Sequence, residues 1–137
     1  MITEIQTRLT DGVSALKLVA GATEFAAASE SNPPATPAAY VIRLRETGGP
    51  RATFSRVEQR VPTEIGIVLV TRNASDAKGA AAGVDMEALR IAVRTALLGW
   101  APIAADPLEF GAGGLLAFRD QYLWWQDSYR STYDISE

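Results

Sequence analysis

The sequence predicts an α+β fold, an antiparallel β-sheet with an N-terminal helix and one long helix packed on it. Three observations predict it. Aliphatic residues recur at helical spacing near the start, they do so again over residues 86–99, and between and after these stretches lie runs with the two-residue period of strands.

The first helix is expected over about residues 3–16, where Ile5, Leu9, Val13 and Leu16 continue a spacing begun at Ile2. Thr3 with Gln6 has the pattern of a capping box. Gly12 lies inside this stretch and costs about 1 kcal/mol relative to alanine, so the helix depends on packing. Residues 17–37 leave two readings open, a short strand from Lys17 to Val19 and a helical turn in the alanine-rich stretch from Thr23 to Ala28. Pro33, Pro34 and Pro37 then make a loop, because each removes a backbone donor.

From Ala38 to Arg45 the chain alternates, with Tyr40, Ile42 and Leu44 on one face and Val41, Arg43 and Arg45 on the other. A turn containing Gly48 and Gly49 leads to the longest extended signal, Phe54 to Arg72, which Pro62 divides at a bulge or edge. Before the proline, Arg56, Glu58 and Arg60 form a charged ribbon. After it, Ile65, Ile67 and Leu69 oppose Gly66, Val68 and Val70, so this half is apolar on both faces and is expected to be a central strand.

Asn73 to Gly83 reads as a small-residue loop, and Asp85 is placed to cap the helix Met86 to Gly99. Met86, Leu89, Val93, Ala96, Leu97 and Trp100 form its core face, while Ile91 and Leu98 fall opposite, among Glu87 and Arg94. Ala101 to Gly114 is a connection whose Gly111-Ala112-Gly113-Gly114 reads as a flexible turn. Leu115 to Phe118 and Gln121 to Ile135 make a strand pair turning at Arg119-Asp120.

Composition narrows the function. The chain contains no histidine and no cysteine, which removes the commonest general base, the commonest metal ligand and every thiolate. A hydrophobic share of 47% in 137 residues suits one self-sufficient domain, residues 1–137, rather than a disordered segment. The net charge of -3 supplies no overall field for nucleic acid, and no apolar run approaches the length of a membrane span. A soluble cytoplasmic product without cofactor is expected.

No catalytic or metal constellation emerges. Asp106 with Glu109 and Asp127 with Asp134 match no ligand spacing, and a solvated surface explains them better. The glycine run lacks the Lys-Ser/Thr and the following helix of a phosphate loop, and Asn73-Ala74-Ser75 is a chance match to a glycosylation acceptor. Trp124-Trp125 has the makings of a stacking platform, but neighbours on a strand face opposite sides, so packing is the better reading, with one Trp in the core and the other at a second surface. The residues left over for a protein interface are Arg56, Glu58 and Arg60 on the ribbon and Ile91, Leu98, Glu87 and Arg94 on the long helix.

The succession of elements, with the stretches Pro37 to Leu44, Glu64 to Val70 and Trp125 to Ile135, is similar to the tail terminator proteins of long-tailed bacteriophages. The resemblance covers almost the whole chain and carries no site residue with it. It implies a virion protein, not an enzyme, that forms a self-associated ring, typically hexameric. Such a ring sits on the head-proximal end of the tail tube, stops tube growth and meets the head connector, with tail tube protein and connector protein as partners and DNA only passing through the lumen. Two alternatives remain beside it: a head-completion or neck adaptor protein, and a small ligand-binding module using Trp124 or Trp125.

Overall fold

The computed structural model describes residues 1–73 and 80–137, with the backbone alone at 80–82 and 84. In chain order the elements are α1 (Ile2–Gly12), β1 (Leu18–Ala20), α2 (Ala22–Ser29), β2 (Ala38–Glu46), β3 (Glu58–Arg72), α3 (Ala80–Leu97), β4 (Glu109–Arg119) and β5 (Tyr122–Ser136). The strands form one five-stranded sheet in the order β1-β2-β3-β5-β4. Every pairing is antiparallel except β1 with β2, which α2 connects in parallel. The α+β class and the mostly antiparallel sheet are as the sequence predicts.

The sheet is covered on both faces. On one, Ile5 and Leu9 of α1 and Met86, Leu89, Val93 and Leu97 of α3 close over Val41, Ile65, Ile67, Leu69 and Tyr129. On the other, Phe25 and Ala28 of α2 pack on Ala38, Tyr40, Val68, Val70 and Trp124. The doubly apolar half of β3 is therefore central, with odd residues under α1 and α3 and even residues under α2.

Several boundaries depart from the sequence reading. α1 begins at Ile2 without a side-chain cap, so the Thr3/Gln6 box is not formed, and it ends at Gly12 rather than residue 16. Val13 leaves the helix at φ -124° yet stays buried, because a β-branched residue after glycine gains little from another helical turn. α3 starts at Ala80, which puts Asp85 inside the helix rather than at its cap and turns part of the expected loop helical. Periodicity marks the residues that touch the sheet, whereas alanine, the best helix former, favours helix over Ala80-Ala81-Ala82 without adding a period. The rest of that expected loop, residues 74–79, lies outside the described residues. Past its last residue, Leu97, Gly99 takes φ +79°, the left-handed conformation that commonly closes a helix.

The largest difference is β4, which runs straight through the glycine stretch read as a turn. Glycines carry no alternating side chains, so a strand built from them has no visible period. Two of them are required by close approach to β5. A Cβ on Gly113 would lie 2.5 Å from Asp127 Oδ1, and one on Gly111 would lie 2.7 Å from Ser128 Oγ. The β4–β5 hairpin turns at Asp120-Gln121, one residue later than expected, with φ of 51° and 69°, the mirror-image turn that matches strand twist.

Pro62 stands where β3 loses its regular ladder to β2, which ends at Glu46 opposite Thr63, while pairing to β5 continues through Pro62 and Thr132. The bulge itself lies in β2, between Arg43 and Arg45. The Pro62 carbonyl accepts from Thr47 N–H, so its missing donor falls on the side where the ladder stops.

Candidate assembly surface

The core under α1 and α3 ends at Ile65 on β3 and Tyr129 on β5, yet the two strands stay paired as far as Glu58 with Ser136. The chain between β2 and β3 folds back along this extension. Thr47, Gly49 and Ala52 donate their N–H groups to the carbonyls of Pro62, Arg60 and Glu58 at 3.2, 2.8 and 2.9 Å. Gly49 is obligatory here, because a Cβ would meet the Arg60 carbonyl oxygen at 2.6 Å. The result is a ribbon ending in a tip at residues 53–56.

Three of the ribbon's arginines are paired with carboxylates. Arg60 reaches Asp106 at 2.6 Å and Asp134 at 3.4 Å, Arg56 pairs with Glu58, and Arg43 pairs with Glu46. Tyr133 donates its hydroxyl proton to Glu46, and that hydrogen bond pushes the phenol's pKa up. One expectation is corrected: Arg56 is not on the strand, which begins at Glu58, but in the bend before it, because the Thr53 hydroxyl bonds both Arg56 N–H and its carbonyl and closes a turn there. Arg60 remains more than half exposed and its partners are equally solvated, so its ion pairs contribute little to folding.

The helix set occupies the outer face of α3. Ile91 and Leu98 are 60% and 51% exposed, Glu87 lies 3.3 Å from Arg90, and the Arg94 guanidinium covers the ring of Phe110. No hydrogen bond or ion pair among the described residues links this set to Arg56, Glu58 and Arg60. The sequence-predicted residues thus form two separate surfaces.

Trp124 and Trp125 do face opposite sides of the sheet. Trp124 is buried under α2, edge-on to Phe25, with Arg119 over its ring. Trp125 is partly buried beside α3, donates from Nε1 to Asp127 at 2.9 Å and lies under the Arg90 guanidinium. Both rings are used in packing, which removes the basis for a stacking platform. The same corner holds a feature the sequence reading missed: Asp127, fully buried, accepts two 3.0 Å hydrogen bonds from Arg90 and is not part of any surface cluster with Asp134. That hydrogen bonding raises the pKa of Arg90 further, so the guanidinium stays charged.

Other exposed apolar residues also escaped the sequence reading. Phe54 at the ribbon tip is fully exposed, Ile103 is 84% exposed, and Leu115, Leu116 and Phe118 lie open on β4, the long free edge of the sheet. For Phe54 the signal was present, a lone aromatic amid Arg51, Thr53, Ser55 and Arg56. On β4 the sequence marks Leu115 to Phe118 as a strand, but the glycines before them concealed that it belongs to the long edge strand of the sheet.

Among the described residues no helix is long and apolar enough to cross a membrane. What these observations define is an α+β chain with a sheet covered on both faces, whose distinctive features are at its surface. The chain belongs to the phage tail terminator protein family, whose model matches residues 2–137. It is accordingly a structural component of a phage tail, part of the virion. No curated protein matches the chain.

Proposed function

We propose that the chain is a one-domain subunit of a homo-oligomeric ring, a hexamer, that caps the head-proximal end of the tail tube, stops its polymerisation and joins it to the head connector, with DNA passing through the lumen. The observation that carries this reading is the family match over essentially the whole chain. The paired ribbon supports it, because a ring subunit needs a rigid projection with oriented charges rather than a catalytic cleft. Arg56, Glu58 and Arg60 contact protein, not DNA: Glu58 and Asp134 beside the arginines repel a phosphate backbone that the net charge of -3 does nothing to attract. Ile91 and Leu98, with Glu87 and Arg94 at their margins, form the second contact surface.

The test is to image assembled tails that carry a labelled copy of the chain. Label in a ring at the head-proximal tube end is the expected result. Label distributed along the tube, or present on heads lacking tails, would assign the chain to a different position in the virion, the second case favouring a head-completion protein.

A further inference from the structure

A phenylalanine held entirely in water forgoes the stabilisation that burial of its ring would supply. Phe54 is so held by construction. Ala52 bonds Glu58, the Thr53 hydroxyl bonds Arg56, and Glu137 closes the base through hydrogen bonds with Val57 in both directions, at 3.0 and 3.1 Å. The tip is therefore preorganised, with its aromatic side chain turned out to solvent. Arg51 beside it donates only to the Phe54 carbonyl, at 3.4 Å, and has no carboxylate partner among the described residues.

A receptor with complementary properties lies elsewhere on the chain. Between α1 and α3 an open groove of about 740 Å³ has Ala92 and Ala96 as its floor, with Trp100 and Ile103 along one side. The groove is shaped by sequence: Gly12 and Ala96 let the helices approach with only 3.6 Å between Ala96 Cβ and a Cβ built on the glycine. Ile103 is fixed in place, since its N–H donates to the Glu4 carboxylate at 2.7 Å, and Arg8 is held over Trp100. At the rim stands Asp11, exposed and without a cationic partner among the described residues.

We propose that Phe54 of one copy inserts into the α1–α3 groove of the next, with Arg51 pairing Asp11. The two halves of this contact are different surfaces of one chain, so it is a heterologous interface, which closes into a ring when the rotation per subunit allows. A rigid aromatic anchor entering an apolar groove beneath a charge pair has the composition of an interface hot spot. This inference rests on the ring reading and adds to it which surfaces meet.

The chain has no cysteine, which makes cross-linking a clean test. Ser55→Cys protein mixed with Thr95→Cys protein, in the presence of tail tubes and then oxidised, should give a covalent dimer containing one of each. The double variant should give a ladder ending at the ring number. Phe54→Asp, a substitution at an exposed position that leaves the thermal transition unchanged, should weaken association about thirtyfold or more. Rings that form without any cross-link and tolerate Phe54→Asp would overturn the proposed contact while the ring reading stands, as would a Ser55→Cys cross-link to tube protein alone. Absence of rings on tubes capped by the wild-type protein would overturn both.

Discussion

Two arginine–aspartate sites use the same chemistry in opposite settings. Arg90 and Asp127 lie between α3 and the sheet, with the carboxylate fully buried under Gly113 and Trp125. Arg60 with Asp106 and Asp134 lies on the ribbon, each side chain more than half exposed. In the first, water is excluded, so losing either partner strands a charge in a poorly solvating place. In the second, water replaces whatever is removed. The ion pair at one end of the molecule thus supports the fold, and the pairs at the other contribute little to it.

The comparison is sharpest at Asp127. Asp127→Ala removes the buried carboxylate from Arg90, leaving it the exposed Glu87, and should destabilise by about 3–5 kcal/mol, read as a shift in denaturant midpoint. A change below 1 kcal/mol would mean that the pair is not buried as described. Leu89→Ala, beneath the same helix, should cost about 2–5 kcal/mol through the cavity it leaves.

Tyr129, also in this core, supplies a pH test. Burial pushes its phenol up to about 12, with the nearby Asp127 charge acting in the same direction. A raised pKa means that the neutral form is favoured in the folded state. The associated stability is complete below about pH 10, the ordinary value for tyrosine, and is lost as pH rises from there through about 12. Tyr40 and Tyr133 are also raised above the ordinary value, so the diagnostic signal in an ultraviolet titration is the component that ionises together with unfolding, which Tyr129→Phe should abolish.

On the ribbon the expected effect on folding is smallest. Arg60→Ala should change stability by no more than about 1 kcal/mol. A loss of several kcal/mol would show that the ribbon supports the fold and that the contrast between the two ends is false.

The same contrast explains how much the sequence disclosed. The helix-covered core was legible: Met86, Leu89, Val93 and Leu97 face the sheet and Ile91 and Leu98 face away, because burial imposes a period that composition records. So was the central position of β3. The ribbon tip was not, since Arg56 and Phe54 are arranged by hydrogen bonds of Thr53 and of the strand backbone that follow no period. Nor was the first half of β4, whose glycines serve close packing on Asp127 and Ser128 and leave no alternation to read, although Leu115 to Phe118 in its second half were legible as a strand. The Arg90–Asp127 pair joins residues 37 apart, a distance that no local pattern spans.

The most direct test is the length of tail tubes polymerised with and without the protein. With wild-type protein the tubes should stop at a narrow length distribution, each closed by a ring at one end, whereas Arg56→Glu/Arg60→Glu protein, folded but unable to dock, should let them overgrow. Tubes whose lengths are the same whether the wild-type protein is present or absent would contradict the account.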